Sequence, residues 1–501
     1  MDSGTSKNKE SAEGNIGTER TANQGARKHP AGRQQKSRAP EPVTADLIKL
    51  LLDHYFPDFN ELLSGLPDPR LPGRIIYSKE HLFYLGLCMF LFHCGSRSQL
   101  ESERRSVAFF RNLSFLSGTD EERVASVDAM NYLMTLMNPA NGLELLAGKM
   151  TGRLIRSRVL DKSRSSNSEC MIAMDGVCLF TRKGEHPNST HKKHSGEISS
   201  YYYALEAKLV TEDGMGLSLA TEFIETGEEF NKEDCELNAF YRLAPLLKER
   251  FPKLRICLLL DGLYPNKYVL DICEKNNWGY YITLKDGCLP LLNEAARIQI
   301  KRNPQQSIDH YPEKGVFQHI SWAVNLNHEG RRTFVLKCQE TKITGDVTER
   351  NTFAWVTDVR PNKHNAAKLV REARRRWVVE EAFNIQKNGG YELTHNFGTI
   401  GFAMKNYYYL LQIAHILHQL MVRSDLFPKL QAKFIMREFG CDQEGMKTLL
   451  ACIAATTLEH FRTAKNFVKR LAESFRNQVF SEMATVPGAI GNIQIRLVNS
   501  S

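Results

Sequence analysis

The chain has 501 residues, of which 42% are hydrophobic and 25% charged, a composition that indicates a globular protein with several cores. Its formal net charge of +9 permits a polyanionic partner, although this excess is small for the length. The cysteines are odd in number and include no C-x-x-C pair, which argues against a disulfide framework. The most apolar run, 82–92, is too short to span a bilayer, so we expect no membrane partner.

The N-terminal third divides into a polar tail and a helical region. Residues 1–40 contain eight basic and four acidic residues with almost no large apolar side chain, which predicts a disordered basic tail. Helical periodicity then recurs at 45–56, 79–93 and 127–137. The pattern predicts an all-helical domain over 41–160, in which no helix-turn-helix signature stands out.

From residue 170 the hydrophobic period changes to that of strands. Two apolar runs end in an acid, because MIAM precedes Asp175 and RICLLL precedes Asp261. The predicted order of strand, strand, strand, helix, strand, helix, strand comprises 171–175, 201–210, 216–224, 232–251, 255–260, 267–276 and 279–284. This order predicts an α/β fold and is what a ribonuclease-H-like mixed sheet needs, although other α/β folds share it.

The second half of the chain adds β-rich segments and long helices. Short β-rich segments between 316 and 359 predict an insert before a long helix at 366–387. Further helices are predicted at 403–422 and 458–475. The predicted domains are a basic tail, a helical domain, an α/β domain in two segments, a β-rich insert and a C-terminal helical region: 1–40, 41–160, 165–299 with 361–425, 300–360 and 426–501.

One helix face combines an acid, two bases and an aromatic ring within the segment RRRWVVEEAFNIQK. Steps of four, three and four residues place these side chains on the same stripe: Arg376, Glu380, Phe383 and Lys387. The neighbouring Glu381 points about 100° away. A carboxylate facing a metal, with cations one turn away to meet phosphate oxygens, suits this face. An amphipathic helix with ordinary ion pairs is the alternative.

Asp175, Asp261 and Glu380 form the candidate catalytic set. Carboxylate oxygens are the ligands that Mg²⁺ or Mn²⁺ prefers, and two such ions about 4 Å apart support phosphoryl transfer. Three carboxylates brought close together would otherwise repel one another, so a metal explains their proximity. For each aspartate alone, structural capping of a helix is the alternative.

The residues around the third acid resemble the DDE transposases of bacterial insertion sequences, in the branch with a Tyr–Arg–Glu–Lys signature. That branch spaces its signature as Y-x2-R-x3-E-x6-K, and three residues here match the spacing: Arg376, Glu380 and Lys387. Trp377 and Phe383 are similar to the family's usual context. The chain departs from the pattern at Ala373, which occupies the Tyr position.

The likeness extends to the second acid. The sequence LLLDGLY around Asp261 is similar to the family's D-x-x-Y context, with Tyr264 in the matching place. The preceding segment KEDCELNAFYR looks like a helix of one subgroup, and we interpret its acids Asp234 and Glu236 as surface or structural residues. Family members often carry a β-rich insert before the Glu. The resemblance covers about half the chain, 170–421.

The resemblance implies a ribonuclease-H-like catalytic domain and a metal-dependent transposase. Asp175, Asp261 and Glu380 would bind two Mg²⁺ or Mn²⁺ ions at the active site. Endonuclease cleavage at the ends of a transposable element would free a 3′-OH, which would attack target DNA in cut-and-paste DNA transposition. No signal-peptide pattern opens the sequence, so we expect a bacterial cytoplasmic protein that joins the nucleoid when it binds DNA.

The implied partner is double-stranded DNA, both the transposon ends and the target, bound by a homodimer. Arg376 and Lys387 would contact phosphates near the cleavage point, with Arg374 extending that contact. The helical N-terminal domain would bind the DNA ends. An unpaired base would stack on one of three tryptophans, although burial in the core is the alternative for each: Trp278, Trp322 and Trp355.

Two other functions remain open from the sequence. One is a metal-dependent nuclease of the same fold without joining activity, and the other is a non-catalytic DNA-binding relic of a transposase. A separate histidine cluster, which Cys170 and Cys178 accompany, is either a zinc site or part of a polar loop: His186, His191 and His194. The spacing H-x4-H-x2-H matches no structural zinc module, which favours the loop.

Overall fold

The computed structural model of the chain combines a mixed β-sheet with packed helices, which confirms the predicted α/β class. The structure describes residues 45–187, 189–194, 197–225, 232–285, 287–423 and 464–479. The predicted basic tail and most of the predicted C-terminal region lie outside the described residues.

The helices before the sheet begin at clear sequence signals. A serine precedes each of four helices, and its Oγ accepts a hydrogen bond from the backbone N–H three residues further on: Ser78, Ser96, Ser106 and Ser126. These helices are α1 Asp46–Tyr55, α2 Phe59–Ser64, α3 Lys79–Leu91, α4 Arg97–Glu103, α5 Val107–Ser117, α6 Val127–Leu136 and α7 Leu143–Arg156. Helix α3 is apolar on nearly every face, so it is buried at the centre of this region.

The sheet contains parallel central strands with antiparallel strands on both sides. The strands are β1 Cys170–Lys183, β2 Thr190–His194, β3 Glu197–Val210, β4 Gly216–Ile224, β5 Ile256–Leu260, β6 Gly279–Thr283, β7 Ser307–Glu313, β8 Val316–His328, β9 Arg331–Thr344 and β10 Val347–Thr357. Their order is β2–β3–β1–β5–β6–β10–β9–β8–β7, and β4 also pairs with β3. Strands β1, β5 and β6 are parallel, and the run ICLLL in β5 is buried throughout because both of its faces are covered.

The helices between these strands follow the predicted alternation. Helix α8 spans Lys232–Arg250 and packs on β3 and β4, while α9 spans Lys267–Asn276 and lies next to α8. Helix α10, Pro290–Arg302, packs on β8. The register of β1 with β5 pairs Ala173 with Leu259, so the next acids, Asp175 and Asp261, occur at equivalent positions two residues further along.

The first strand is longer than the sequence suggested. We predicted that it ends at Asp175, but β1 continues to Lys183 because it pairs with β3 over its whole second half. Asp175 therefore lies within a long strand, opposite Glu206, and only the parallel partner β5 ends near this level.

The β-rich insert does not form a separate sheet. Strand β10 pairs antiparallel with β6, with Trp355 opposite Thr283, and β7–β9 add to β10 in turn. The insert thus extends the central sheet on the side away from β1.

The predicted long helix at 366–387 is two helices. The backbone tightens between them, where the N–H of Arg375 bonds to the carbonyl of Glu372. Arg375 is buried, donates to the backbone carbonyl of Ser163 over 2.6 Å, and pairs with Glu212. These tertiary contacts fix the bend. The helices from here onward are α11 Ala366–Arg374, α12 Trp377–Asn388, α13 Ala403–Arg423 and α14 Ala464–Asn477.

Helix α13 joins the helical region to the sheet. It packs against α1, α3, α6, α7 and β4, and its side chains from Ala403 to Met421 are almost all buried in one hydrophobic core. Helix α13 is long because it runs along both the helical region and the sheet and contacts each of them. Among the helices in the described ranges, none combines the length and apolar surface needed to cross a membrane.

Candidate active site

The three predicted acids come together at one end of the parallel strands. Asp175 lies on β1, and Asp261 directly follows the neighbouring strand β5 at the equivalent level. Helix α12 packs across β1 and brings Glu380 to the same place. Both Asp261 and Glu380 interact electrostatically with Asp175. The chain therefore folds three distant acids into one cluster.

Asp175 is the most perturbed of these acids. Burial raises the pKa of the Asp175 carboxyl from 3.8 to about 6. Arg376 opposes the increase, whereas the negative charges of Glu380, Asp261 and Glu236 add to it. An anion at this position is destabilised, so a bound cation would find a favourable place here.

Each of the other two acids is paired with a basic side chain. Arg376 Nη2 lies 2.5 Å from Glu380 Oε1, one helical turn away. The two side chains therefore share one helix face, and they form the ordinary ion pair that the alternative interpretation of this face predicted. Lys285 Nζ lies 3.0 Å from Asp261 Oδ2, while Asp261 Oδ1 accepts the Leu263 N–H over 2.8 Å. Lys285, which sequence reasoning missed, follows β6 and has no motif around it that would have revealed this role.

Sequence reasoning also set aside a fourth acid. Glu236 on α8 approaches the backbone of Gly176, so that a Cβ at position 176 would lie 2.7 Å from Glu236 Oε1. Its charge affects both Asp175 and Tyr264. The available signal was the motif resemblance of its helix, which we had interpreted as surface or structural. The side chain of Asp234 lies outside the described residues.

A cationic groove with an aromatic floor adjoins the acids. It is a cavity of about 710 Å³ between α10, the insert strands and the α11–α12 junction. Its basic lining residues include both partners of the acids and are Lys285, Arg297, Lys301, Lys337, Arg374 and Arg376. Its aromatic lining residues are Phe353, Trp355 and Trp377. Such a surface suits a polyanion that carries flat rings.

The two remaining predicted DNA contacts differ in their surroundings. The Arg374 guanidinium pairs with Glu340 and lies 4.9 Å and 5.0 Å from the ring centroids of Phe353 and Trp377. Arg374 is therefore held in place at the groove wall. Lys387 is half-buried near the end of α12 and forms no ion pair with a residue that the structure describes.

A buried polar network fixes α12 against the sheet. Gln386 is fully buried, and its Nε2 donates to Gln412 Oε1 over 3.0 Å and approaches His415 Nδ1 at 2.8 Å. Lys208 Nζ donates to the same Gln412 oxygen over 2.7 Å and pairs with Glu206. Because these contacts are internal, they hold the helix that carries Glu380 in one orientation.

The predicted base-stacking tryptophans are core residues. Trp278, Trp322 and Trp355 are each at most 4% exposed. Of these three, Trp355 also lines the groove, together with Trp377, which is only half-buried. The three tryptophans are thus buried in the core, as the alternative to base stacking predicted. Trp377 has the more accessible ring.

The histidine cluster forms part of a hairpin. His186 Nε2 approaches the Lys183 carbonyl at 2.9 Å, and His191 Nε2 approaches the His186 carbonyl at 3.0 Å. These imidazole nitrogens face backbone oxygens, which does not favour zinc binding. His194 lies in β2, and its side chain is outside the described residues.

The site has suitable donors for a divalent cation, although they are not arranged around one point. Within the described residues, no group of three or more His, Cys, Asp or Glu side chains is positioned to hold a metal ion. Glu380 and Asp261 are turned towards Arg376 and Lys285 instead. Their oxygen chemistry fits Mg²⁺ or Mn²⁺, but in this arrangement each of the two carboxylates is paired with a basic side chain.

The sequence was compared with models of protein families and with curated proteins. No family model matches the chain, and no curated protein matches it.

Proposed function

We propose that this chain is a DNA phosphoryl transferase of the DDE transposase class. It cleaves the ends of a transposable element and joins them to target DNA. The observation that supports this most is the cluster of Asp175, Asp261 and Glu380 beside a basic, aromatic groove. Acids alone would suit many hydrolases, but acids bordered by cations suit a phosphodiester.

The sheet topology supports the same proposal. The strand order β4–β3–β1–β5–β6, with β1, β5 and β6 parallel, is the order that a ribonuclease-H-like fold requires. In that arrangement the first strand of the fold, here β1, lies next to the fourth, here β5. Acids at equivalent levels of these two strands therefore lie close together. Here those acids are Asp175 on β1 and Asp261 after β5.

Asp175, Asp261 and Glu380 would hold two Mg²⁺ or Mn²⁺ ions. When bound, such ions activate the attacking oxygen and stabilise the leaving oxygen of a phosphodiester. The protein's contribution is to orient the carboxylates. Strands β1 and β5 fix the aspartates, and the buried Gln386 network fixes the helix of Glu380. Water first cleaves the strand to leave a 3′-OH, which then displaces the 3′-oxygen of a target phosphodiester.

The basic side chains position the DNA backbone. Arg376 and Lys285 lie at the acids, so they meet the phosphate nearest the reaction. Arg374 is stacked on Trp377 and extends the same wall, and Lys387 lies three turns along the helix face from Arg376. We propose double-stranded DNA as the partner and a homodimer as the unit that brings two ends together.

A cleavage and joining assay tests this proposal. A labelled duplex with the ends of the chain's own element is incubated with Mg²⁺, Mn²⁺ or EDTA, and a second substrate presents a pre-cleaved 3′-OH with target plasmid. A transposase nicks the first and joins the second, in both cases only with metal. Nicking without joining would favour the nuclease, and binding without either reaction would favour the non-catalytic relic.

A further inference from the structure

A second cavity lies in the helical region, on other elements than those that carry the acids. Its volume is about 520 Å³, and small-molecule sites measure about 300–1,000 Å³. The segment between α2 and α3, the end of α4, the loop before α6 and the first turns of α6 form its walls. Within the described part of the chain no carboxylate lines this cavity, whereas four arginines do: Arg70, Arg74, Arg104 and Arg123. The cavity therefore suits an anion.

Two of these arginines are held in place by acids. Arg70 is buried, and its Nε and Nη2 donate to Asp68 Oδ1 and Oδ2 over 2.9 Å and 2.6 Å. Arg104 Nε donates to Glu101 Oε2 over 2.8 Å, and its Nη1 donates to the Val124 carbonyl over 3.1 Å. Because their charge is balanced in this way, these two arginines build the wall of the cavity and leave the binding of an anion to the other two.

The other two arginines carry charge that no acid balances. Arg74 and Arg123 are exposed, and neither forms an ion pair with a residue that the structure describes. Arg123 Nε donates to the Tyr77 hydroxyl over 3.0 Å, which holds its guanidinium group at the cavity. Glu121, an acid of the same loop, accepts the Ser78 N–H over 2.7 Å instead. Guanidinium groups of this kind bind the oxygens of a phosphate well.

A flat ring and an apolar side chain complete the lining. Tyr132 is 54% exposed and Ile76 is 76% exposed, and a planar group bound in the cavity would cover both. Ser126 and Ala129 also line the cavity, so the N-terminus of α6, with its partial positive charge, borders it. A nucleotide combines the two groups that such a lining suits, a phosphate for the arginines and a flat base for the tyrosine.

We propose that this cavity binds a nucleotide, with the phosphate at Arg74 and Arg123 and the base against Tyr132. A free nucleotide and a nucleotide of a nucleic-acid strand present the same phosphate and ring, so the chemistry is shared by both sources. The site is separate from the cationic groove and does not depend on the proposed transposase activity.

Two binding measurements on the full chain test this inference and distinguish the two sources. Calorimetry follows 2′-deoxyadenosine 5′-monophosphate, and fluorescence anisotropy follows a short labelled single-stranded DNA. The double variant Arg74→Gln with Arg123→Gln is compared with a control, Arg105→Gln with Arg111→Gln. The control removes the same charge from exposed arginines of the helical region that do not line the cavity.

We expect the first double variant to lose at least about tenfold in affinity for one or both probes, because charged hydrogen bonds are lost. The control should keep the wild-type affinities. A loss for the mononucleotide alone would assign the site to a free nucleotide, and a loss for the strand alone would assign it to nucleic acid. Wild-type affinity for both probes in the first variant would overturn the proposal, as would a wild-type protein that binds neither probe.

Tyr132→Ala tests the contact with the base. The position is exposed, so circular dichroism should stay unchanged. We expect weaker binding of whichever probe the arginine variant affects, and unchanged binding of inorganic phosphate in the same calorimeter. Equal affinity for the probe in Tyr132→Ala and the wild type would overturn the contact with the base. Neither measurement uses cleavage activity, so failure here leaves the proposed function intact.

Discussion

Lys285 Nζ lies 3.0 Å from Asp261 Oδ2, so a cation after β6 neutralises the acid after β5. The Lys285 side chain is 56% exposed, and exposed pairs of this kind contribute only about 0–1 kcal/mol. A divalent cation can therefore replace Lys285 beside Asp261, and a DNA phosphate can replace Asp261 beside Lys285, with only a small loss of free energy from the broken ion pair. Before any ligand binds, the ammonium group of Lys285 balances the negative charge of Asp261.

Substitution of Lys285 by alanine is expected to change two affinities in opposite directions. Without the competing ammonium group, Asp261 binds Mn²⁺ more tightly in the absence of DNA. Affinity for DNA falls, because one phosphate contact in the groove is lost. Calorimetric titration with Mn²⁺ and fluorescence anisotropy with labelled DNA measure the two effects. Lys275→Ala, an exposed lysine on α9, is the control. Equal Mn²⁺ affinity in both variants would show that the ion pair does not compete with metal.

Lys387→Ala tests whether the last cation of the α12 stripe contacts a phosphate. Each lost phosphate contact lowers the slope of log affinity against log salt concentration by about 0.9. The variant is thus expected to bind DNA more weakly than the wild type at low salt, with a difference that shrinks as salt rises. Anisotropy titrations at several salt concentrations measure the slope. A wild-type slope would mean that Lys387 is an ordinary surface cation.

Local sequence pattern predicted much of the fold. Strand Gly216–Ile224 and helix Lys267–Asn276 have the predicted bounds, because hydrophobic period and turn residues define them locally. The extension of β1 to Lys183 and the bend at Arg375 were not predictable in this way. The first depends on pairing with β3, and the second on buried contacts with Ser163 and Glu212.

The same distinction applies to the site. Arg376 and Glu380 are four residues apart on one helix, so their ion pair could be predicted from spacing. Lys285 and Glu236 reach the acids from other elements, and no short motif encodes that proximity. The path of the insert, which extends the central sheet through β6, likewise follows from long-range pairing.

A pH-dependent loss of stability is expected from His81. The ring is fully buried, its Nε2 accepts the Ala125 N–H over 3.2 Å, and burial lowers its pKa to about 4. Between pH 6.5 and 4 the unfolded chain binds a proton that the folded chain does not, so the free energy of unfolding falls as pH falls. The contribution of His81 between pH 7 and 5 is about 2 kcal/mol.

His81→Gln isolates this contribution. Urea unfolding at pH 7 and pH 5 is measured for the wild type and the variant. The variant should lose less stability on acidification, because glutamine does not titrate. The same loss in both proteins would mean that other groups cause the pH dependence.

The buried pair of Lys208 and Glu206 is expected to be important for stability. Both side chains are 0% exposed, with Lys208 Nζ 3.4 Å from Glu206 Oε1. Lys208→Met leaves the Glu206 carboxylate buried without its cation, which costs about 3–5 kcal/mol. The midpoint of urea unfolding should fall accordingly and recover in part when Glu206→Gln is added. An unchanged midpoint in the single variant would show that Thr221 and Tyr408 satisfy the carboxylate alone.

The most direct test of the central claim compares neighbouring acids on α12. Glu380→Gln and Glu381→Gln each remove one charge from the same helix turn, but only Glu380 pairs with Arg376 and affects Asp175. Both proteins are assayed for Mg²⁺-dependent cleavage of a labelled element end at DNA concentrations that saturate binding. We expect that Glu380→Gln abolishes cleavage while it still binds DNA, and that Glu381→Gln cleaves as the wild type does. Full cleavage by Glu380→Gln would show that Glu380 takes no part in the reaction and that the active site lies elsewhere.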